Sequence, residues 1–357
     1  MRRRLLRGLL ILAVLLGVVL VVTLPAAEPT VRVTAVDSVG MTVSDMDRAL
    51  AFYTGVLPFR KEYDVEVAGR PWEQLEGVFG ARARVVGLRL GDERLELTDY
   101  LAPEGRPMPA DSRGNDRWFQ HVAIIVRDMP AAYARLREGG AAHASTGPQR
   151  LPEWNPGAGG IEAFYFRDPD GHFLEVLHFP PGKGDPKWQR PGPDLFLGID
   201  HTAIVVDDTD AALAFYRDTA GLGVVGGGEN YGPEQEHLNN VFGVRLRITT
   251  LRAGSGPGVE LLEYRAPRDG RPAPIDLKAN DLAHWQITMR GQGLTALLAP
   301  SRVFALVSPD VTAIDTTALG FTRGLLVRDR DGHAVRVVDG DVFDISRHDA
   351  ATPPSKH

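Results

Sequence analysis

The chain has 357 residues, of which 43% are hydrophobic and 24% are charged, an ordinary globular composition with room for two domains. Its net charge of −6 gives no electrostatic reason to expect nucleic acid, because a phosphate-binding surface needs clustered Lys and Arg. The absence of cysteine excludes thiolate metal sites, thiol nucleophiles and disulfides, whereas cation binding is compatible with the acidic balance.

The N-terminal residues 1–28 predict a signal peptide or a membrane anchor. Basic residues at positions 2, 3, 4 and 7 precede an apolar run from Gly8 to Leu24. That run is long for a signal-peptide core and short for a spanning helix, so cleavage and retention both remain open. The basic flank predicts export of the remainder across the cytoplasmic membrane, to a periplasmic or other extracytoplasmic location. Membrane contact is expected only through this segment.

The body of the chain repeats itself. Residues Ser44 to Tyr53 return as Asp207 to Tyr216, and Phe79 to Arg84 return, with the same offset, as Phe242 to Arg247. A whole domain has therefore been duplicated, and matching positions can be compared within one sequence.

Each half divides into two units with the order strand, helix, strands. The first unit has a predicted strand at 33–43, a helix at 45–53 whose first amides can bond the side chain of Ser44 or Asp45, and strands at 84–90 and 94–99. The second has a strand at 121–126, a helix at 130–138, and strands near 163–166 and 172–179. The third and fourth units span about 197–267 and 282–340, and the helix predicted in the fourth unit, at 292–298, is shorter than its counterparts.

Two predicted domains follow from this order, one at 33–180 and one at 196–341. The stretch 181–195 between them is rich in Pro and Gly and is predicted to be a linker. The end of the chain, 342–357, is predicted to be a tail without regular structure.

Three apolar strands carry a glutamate at a comparable place, namely Glu96, Glu175 and Glu260, and two opening strands carry His121 and His201. A carboxylate on the buried face of a sheet costs several kcal/mol unless it is paired, protonated or bound to a cation. Imidazole with carboxylate is a common ligand set for zinc, iron, nickel or manganese. The alternative is that each glutamate lies on the solvent face of its strand. The recurrence favours a metal site.

These motifs, together with an Asp-Pro-Asp-Gly-His turn before the last strand of the second unit, resemble the vicinal oxygen chelate superfamily. That group includes glyoxalase I, extradiol dioxygenases, fosfomycin-resistance enzymes, methylmalonyl-CoA epimerase and bleomycin-resistance proteins. The resemblance implies an α+β fold in which four βαβββ modules form two cupped mixed sheets as tandem glyoxalase-like domains, preceded by the apolar N-terminal segment. It also implies metal ligands on the first and last strands of each module.

Carried over to the first two modules, the resemblance assigns four positions to one site: Ser38, Glu96, His121 and Glu175. Three of these suit a divalent metal, and Ser38 replaces the first ligand. Glu96 and Glu175 are the candidate catalytic carboxylates, because a carboxylate can move a proton while the metal polarises a carbonyl. The side-chain ends of Glu96, His121 and Glu175 are expected to converge on one cavity.

In the last two modules the resemblance assigns His201 and Glu260 as metal ligands, and either His284 or Gln286 as a third. Register with the first half favours Gln286, whereas ligand chemistry favours His284. Arg336 stands where an anionic ligand is expected and could instead bind a carboxylate of the substrate.

Two classes of function remain open. The first is a metal-dependent enzyme, either a glyoxalase-like lyase or isomerase or a ring-cleaving dioxygenase. The second is a protein of the bleomycin-resistance type that sequesters a small molecule without chemistry, which the replacements at Ser38 and Arg336 favour. Both classes take a small-molecule partner and no nucleic acid. Module pairing within a half or between chains is also open, so a homodimer is possible.

Overall fold

The computed structural model describes residues 31–340, which form two nine-stranded mixed sheets. The predicted signal peptide or anchor at 1–28 and the predicted tail at 342–357 lie outside the described residues. Across residues 31–340, every helix is too short or too polar to traverse a lipid bilayer.

The first half of the chain contains two modules. Module one comprises β1 (Arg32–Val43), α1 (Met46–Ala51), β2 (Arg60–Ala68), α2 (Arg70–Glu76), β3 (Arg82–Leu90) and β4 (Glu93–Ala102). Module two comprises β5 (Gln120–Val126), α3 (Met129–Glu138), β6 (Ala142–His143), β7 (Gln149–Arg150), β8 (Glu162–Arg167) and β9 (Phe173–His178). The predicted linker contains a 3-10 turn at Pro186–Gln189.

The second half repeats this plan. Module three comprises β10 (Phe196–Val205), α4 (Thr209–Leu213), β11 (Gly223–Tyr231), α5 (Pro233–Asn239), β12 (Arg245–Arg252) and β13 (Gly258–Ala266). Module four comprises β14 (Trp285–Gln292), β15 (Phe304–Leu306), β16 (Thr312–Ala313), β17 (Arg323–Asp329) and β18 (Ala334–Val338), with a 3-10 turn at Leu294–Leu298 where the short helix was predicted. The predicted α+β fold with two cupped mixed sheets is confirmed.

Aspartates begin the three helices that follow an opening strand. The side chains of Asp45, Asp128 and Asp208 each accept a hydrogen bond from the backbone N–H three residues later. These bonds satisfy amides that have no partner inside the helix, which is why the helix starts directly after the strand.

Each sheet takes strands from both halves of the chain. The strand order in the first sheet is β15-β17-β18-β14-β1-β4-β3-β2, with β16 also paired to β17, and in the second it is β11-β12-β13-β10-β5-β9-β8-β6, with β7 also paired to β8. At the centre of the first sheet β1 runs antiparallel to β14, and at the centre of the second β10 runs antiparallel to β5. Module one therefore pairs with module four, and module two pairs with module three. The division of the chain into domains at 33–180 and 196–341 stays a prediction.

The two sheets pack against each other and leave a concave face on each, which we call the first cup and the second cup. Leu97 of β4 and Val122 of β5 belong to one apolar cluster between the sheets, together with Phe52 and Leu136 from the helices. Because side chains alternate along a strand, the residues that neighbour Leu97 and Val122 face the cups. Glu96 thus lies in the first cup, and His121 lies in the second.

Candidate metal centre

Four ionisable side chains from the four central strands of the second sheet meet in the second cup. They are His201 on β10, Glu260 on β13, His121 on β5 and Glu175 on β9. Ladder pairing sets their spacing, because Ala203 of β10 is the partner of both His121 and Glu260.

The polar atoms of this group are close enough to share one ion. Glu175 Oε2 lies 3.1 Å from His121 Nε2 and 3.8 Å from His201 Nε2. Glu260 Oε2 lies 3.4 Å from His201 Nε2. One ligand atom from each of His121, Glu175 and His201 can be chosen so that all three lie within 4.8 Å of one another. Two imidazoles and a carboxylate at this spacing can hold a divalent metal.

The hydrogen bonding of His121 fits a metal ligand better than a structural role. The ring is buried, yet neither Nδ1 nor Nε2 has a hydrogen-bond partner among the described residues, because the 3.1 Å approach to Glu175 lacks hydrogen-bond geometry. An unpaired buried polar atom costs about 1–3 kcal/mol. A divalent metal held by His121 Nε2 and Glu175 would remove part of this cost and neutralise the Glu175 carboxylate.

A second carboxylate orients His201. Asp200 Oδ2 lies 3.0 Å from His201 Nδ1, which leaves Nε2 directed at the glutamates. Trp188 and Arg252 both donate hydrogen bonds to Asp200 Oδ1, and these bonds hold the carboxylate in place. Burial disfavours the charged imidazole, but Glu260, Asp200 and Glu175 outweigh burial and raise the pKa of His201 to about 9. Metal binding must therefore displace a proton.

The centre lies in a cavity of about 400 Å³. Thr250 Oγ1 donates a 2.8 Å hydrogen bond to Glu260 Oε1, which fixes one oxygen of this carboxylate. The Glu260 side chain is 18% exposed. Tyr165 lines the cavity beside His121, with ring centroids 4.9 Å apart. Burial is the main cause that raises the pKa of Tyr165, and the phenol keeps its proton at neutral pH.

The equivalent positions in the first cup hold a buried ion pair. Arg336 stands where the second cup has Glu175, and its Nη2 lies 2.7 Å from Glu96 Oε1. Arg336 also contacts Glu76 at 3.4 Å, and Tyr63 donates a 2.8 Å hydrogen bond to Glu96. Ser38 occupies the place of His201. The guanidinium thus supplies the positive charge that the carboxylates of this cup need.

The expected convergence of Glu96 with His121 and Glu175 is wrong. Glu96 lies in the first cup because β1 and β4 pair with β14, and the chain crosses to the second sheet before β5. The structure instead joins His121 and Glu175 to His201 and Glu260, which the resemblance assigns to a different site. The roles of these four residues as ligands remain a prediction.

Neither candidate for the third ligand of the second half, Gln286 or His284, lies at the candidate metal centre. Gln286 pairs with Gly40 as His121 pairs with Ala203, so Gln286 occupies the equivalent position, as register predicted. His284 Nε2 lies 3.4 Å from Gln286 Oε1, and Arg328 donates to His284 Nδ1. Both residues lie in the first cup, away from the metal centre. Burial and the nearby Arg328 lower the pKa of His284 to about 3.

Arg336 is not available to bind a substrate. Its side chain is 1% exposed, and Glu96, Glu76 and Thr288 already surround the guanidinium. Asp200 was not among the residues that the sequence pattern indicated, whereas Tyr165, an aromatic residue expected to line a pocket or to pack against the sheet, does line the cavity. A signal for Asp200 existed, because an acidic residue precedes His201 and can bond the Nδ1 of its neighbour.

The fold and the site define a tandem protein of βαβββ modules in which one cup could hold a metal ion and the other is closed by an ion pair. The profile of the Glyoxalase/Bleomycin resistance protein/Dioxygenase superfamily matches residues 35–176 and 198–337. The chain belongs to this superfamily.

Two characterised relatives share part of the sequence. The chain is 35% identical over 153 residues to a 2-epi-5-epi-valiolone epimerase from Actinomyces sp, a match that covers 42% of this chain and 81% of the relative. It is 25% identical over 170 residues to the metallothiol transferase FosB from Shouchella clausii (strain KSM-K16), covering 47% of this chain and 96% of the relative.

Solved structures share the fold. Glyoxalase I from Zea mays superposes with a TM-score of 0.55 at 14% identity, and the match covers 87% of this chain and 92% of the maize protein. At this level of identity the likeness concerns the arrangement of modules alone.

Proposed function

We propose that the protein is a metal-dependent isomerase that moves a proton at a carbon next to a carbonyl group of a small substrate. The observation that carries the proposal is the meeting of two imidazoles and two carboxylates in one cavity of the second cup. The likeness to an epimerase supports the same class of chemistry.

The two carboxylates are suited to different tasks. Glu175 is nearly fully buried between the two imidazoles, so we assign it with His121 and His201 as a ligand. When bound there, a divalent metal supplies Lewis-acid polarisation of a carbonyl oxygen. Glu260 is more exposed to the cavity, and Thr250 fixes one of its oxygens. We assign Glu260 as the group that accepts the proton.

Apolar walls keep bulk water from the centre. Leu151, Leu177 and Leu262 line the cavity around the two glutamates. Fewer water molecules around Glu260 strengthen its electrostatic interactions with the substrate and the metal ion.

The test is metal-loaded protein incubated with a hydroxy ketone in D2O, with deuterium incorporation at the carbon next to the carbonyl followed by NMR. Glu260→Gln should retain the metal and lower the exchange rate about 100-fold or more, because the proton acceptor is lost. Glu175→Gln should lose metal affinity. Glu96→Gln should change neither property, because Glu96 lies in the other cup. Equal exchange by Glu260→Gln and the unaltered protein would contradict the assignment.

A second candidate, ring-cleaving dioxygenation, is favoured by one observation. Two histidines and one carboxylate are the usual ligand set of non-haem iron oxygenases, and His121, His201 and Glu175 match it. Oxygen uptake with Fe(II) and a catechol, and no deuterium exchange, would support this candidate. Stoichiometric binding of an organic ligand without metal would support sequestration instead.

We further propose that the protein acts outside the cytoplasm, a proposal that rests only on the basic and apolar order of residues 1–28. Cell fractionation of the full chain tests it. Recovery in the cytoplasmic fraction would contradict export.

A further inference from the structure

The two cups can be compared position by position, because their ladders have the same register. Tyr63 pairs with Gly87 in the first sheet, and Gly226 pairs with Thr250 at the equivalent place in the second. The partners of Gly87 and Thr250 on the next strands are Glu96 and Glu260. Differences between the residues at these positions can therefore explain why the second cup contains a cavity.

Large side chains close the first cup. A Cβ at Gly87 would lie 2.1 Å from the Tyr63 ring, so the ring occupies the space directly above Gly87. Trp72, the third residue of α2, is 2% exposed and packs in the same cluster with Val67. The interior of the first cup is thus filled by aromatic and aliphatic groups around the Arg336 ion pair.

The second cup has small or amide residues at the same three places. Gly226 replaces Tyr63, and a Cβ there would meet no atom within 4 Å. Asn230 replaces Val67, and Gln235, the third residue of α5, replaces Trp72. All three line the cavity above the metal centre. The open cavity is the volume that Tyr63 and Trp72 fill in the first cup.

The amides form a connected row along the cavity wall. Asn155 Nδ2 donates to Asn230 Oδ1 at 2.6 Å, and Asn230 Nδ2 donates to Gln235 Oε1 at 2.9 Å. Gln235 Nε2 donates to Asn239, whose amide bonds the hydroxyl of Tyr264. Every member is less than 9% exposed. Within this row Asn230 and Gln235 each use one of two amide N–H groups, so donors and lone pairs remain for a ligand.

The charge of the cavity selects against anions. Among the described residues that line it, none is Lys or Arg, whereas Glu175, Glu260 and Asp200 are acidic. Two of these carboxylates would balance one divalent cation, and Asp200 is paired with Arg252 and His201. When a bound metal keeps His201 neutral, a phosphate or carboxylate of a ligand would find no Lys or Arg side chain on the cavity wall to replace its lost hydration.

We propose that the second cup binds an uncharged, polyhydroxylated small molecule, and that Asn230 and Gln235 recognise its hydroxyl groups. The proposal deepens the isomerase function and rests on it for the identity of the site. The amides of the row satisfy one another only in part, and hydroxyl groups match both the N–H donors and the carbonyl acceptors that remain.

Isothermal titration calorimetry of the metal-loaded full chain tests the proposal with three probes: pentahydroxycyclohexanone, D-fructose and D-fructose 6-phosphate. We expect at least one of the two uncharged probes to bind. D-fructose 6-phosphate should bind at least about tenfold more weakly than the uncharged probe that binds more tightly. Absence of binding by both uncharged probes, or equal or tighter binding of the phosphate ester, would overturn the proposal. This comparison needs no variant and so does not depend on folding of a mutant.

Gln235→Leu and Asn230→Leu assign the recognising residues. Each should weaken binding of the uncharged probe about tenfold while the metal content stays the same, because hydroxyl groups then face an apolar side chain. Gln292→Leu, which alters an exposed amide at the end of β14 in the first sheet, is the matched control and should bind normally. Unchanged affinity in both cavity variants would overturn the assignment. Normal binding without deuterium exchange would count against the isomerase function alone.

Discussion

Arg336 and Glu175 occupy the same ladder position in the two cups and give them opposite chemistry. The pKa of Glu76 beside Arg336 is raised to about 7, mainly by burial, while the guanidinium counteracts the rise. Burial lowers the pKa of Arg336, but Glu96 and Glu76 outweigh burial and raise it above its ordinary value. The arginine is therefore charged, and the first cup has no need of a metal.

Arg336→Met should lower the free energy of unfolding by about 3–5 kcal/mol, because it leaves Glu96 and Glu76 buried without their cation. Urea denaturation measures the change, and the metal content of the second cup should not alter. Arg82→Met, which breaks an exposed pair with Glu66, is the matched control and should cost less than about 1 kcal/mol. A loss as small as that of the control would contradict the role of Arg336.

His284 should make the stability of the protein dependent on pH. The pKa of His284 is about 3 in the folded protein and near 6.5 in the unfolded chain. As the pH falls, His284 is therefore protonated in the unfolded chain before it is protonated in the folded protein. Stability is then complete above about pH 6.5 and is lost as the pH falls toward 3. Between pH 7.5 and pH 5 the loss should reach about 2 kcal/mol.

His284→Gln removes this titration while keeping an acceptor for Arg328. Urea denaturation at the two pH values should therefore show a smaller loss for the variant by about 2 kcal/mol. Equal losses in the two proteins would show that His284 does not stay neutral on folding.

At the scale of elements, β2 and β11 decide whether a cup is open. Gly226 of β11 has extended backbone and free space where Tyr63 of β2 has its ring, so Gly226→Tyr should fit without strain on the strand. We expect this variant to lose binding of uncharged hydroxy ketones while it retains the metal, since His121 and His201 are untouched. Calorimetry and metal analysis measure the two properties, and undiminished ligand binding would contradict the comparison of the cups.

Elements were largely predictable from the sequence, and the pairing of modules was not. The Asp caps and the alternation around Glu96 and His121 depend on local spacing, which is why the strands, helices and inward-facing residues could be predicted. The pairing of modules depends on whether β5 or β14 lies beside β1, and these two strands have similar apolar faces. The duplication makes both pairings equally consistent with the repeats. The four residues of the candidate metal centre were therefore divided between two predicted sites.

At the scale of the whole molecule, two loops hold the halves together by the same contacts. Arg106 bonds Asp281 through its backbone and its side chain, and Arg271 bonds Asp116 in the same way. Gly105 passes so close to the Asn280 carbonyl that a Cβ would lie 1.7 Å from the oxygen. This reciprocal packing explains why the sequences near 100–116 and 264–281 repeat together.

A protease site inserted between Gly182 and Lys183 would cut the chain between its halves. Because each sheet contains strands from both halves, we expect the cut fragments to elute together in gel filtration and to retain the metal. Separation of the fragments without denaturant would contradict the pairing of module one with module four.

The central claim is that one ion binds in the second cup and none in the first. Anomalous diffraction from crystals of the full chain soaked in zinc or manganese tests it directly. The structure predicts one peak per chain, within bonding distance of His121, Glu175 and His201. A peak beside Glu96 and Arg336, or no peak between the two histidines with either metal, would contradict it.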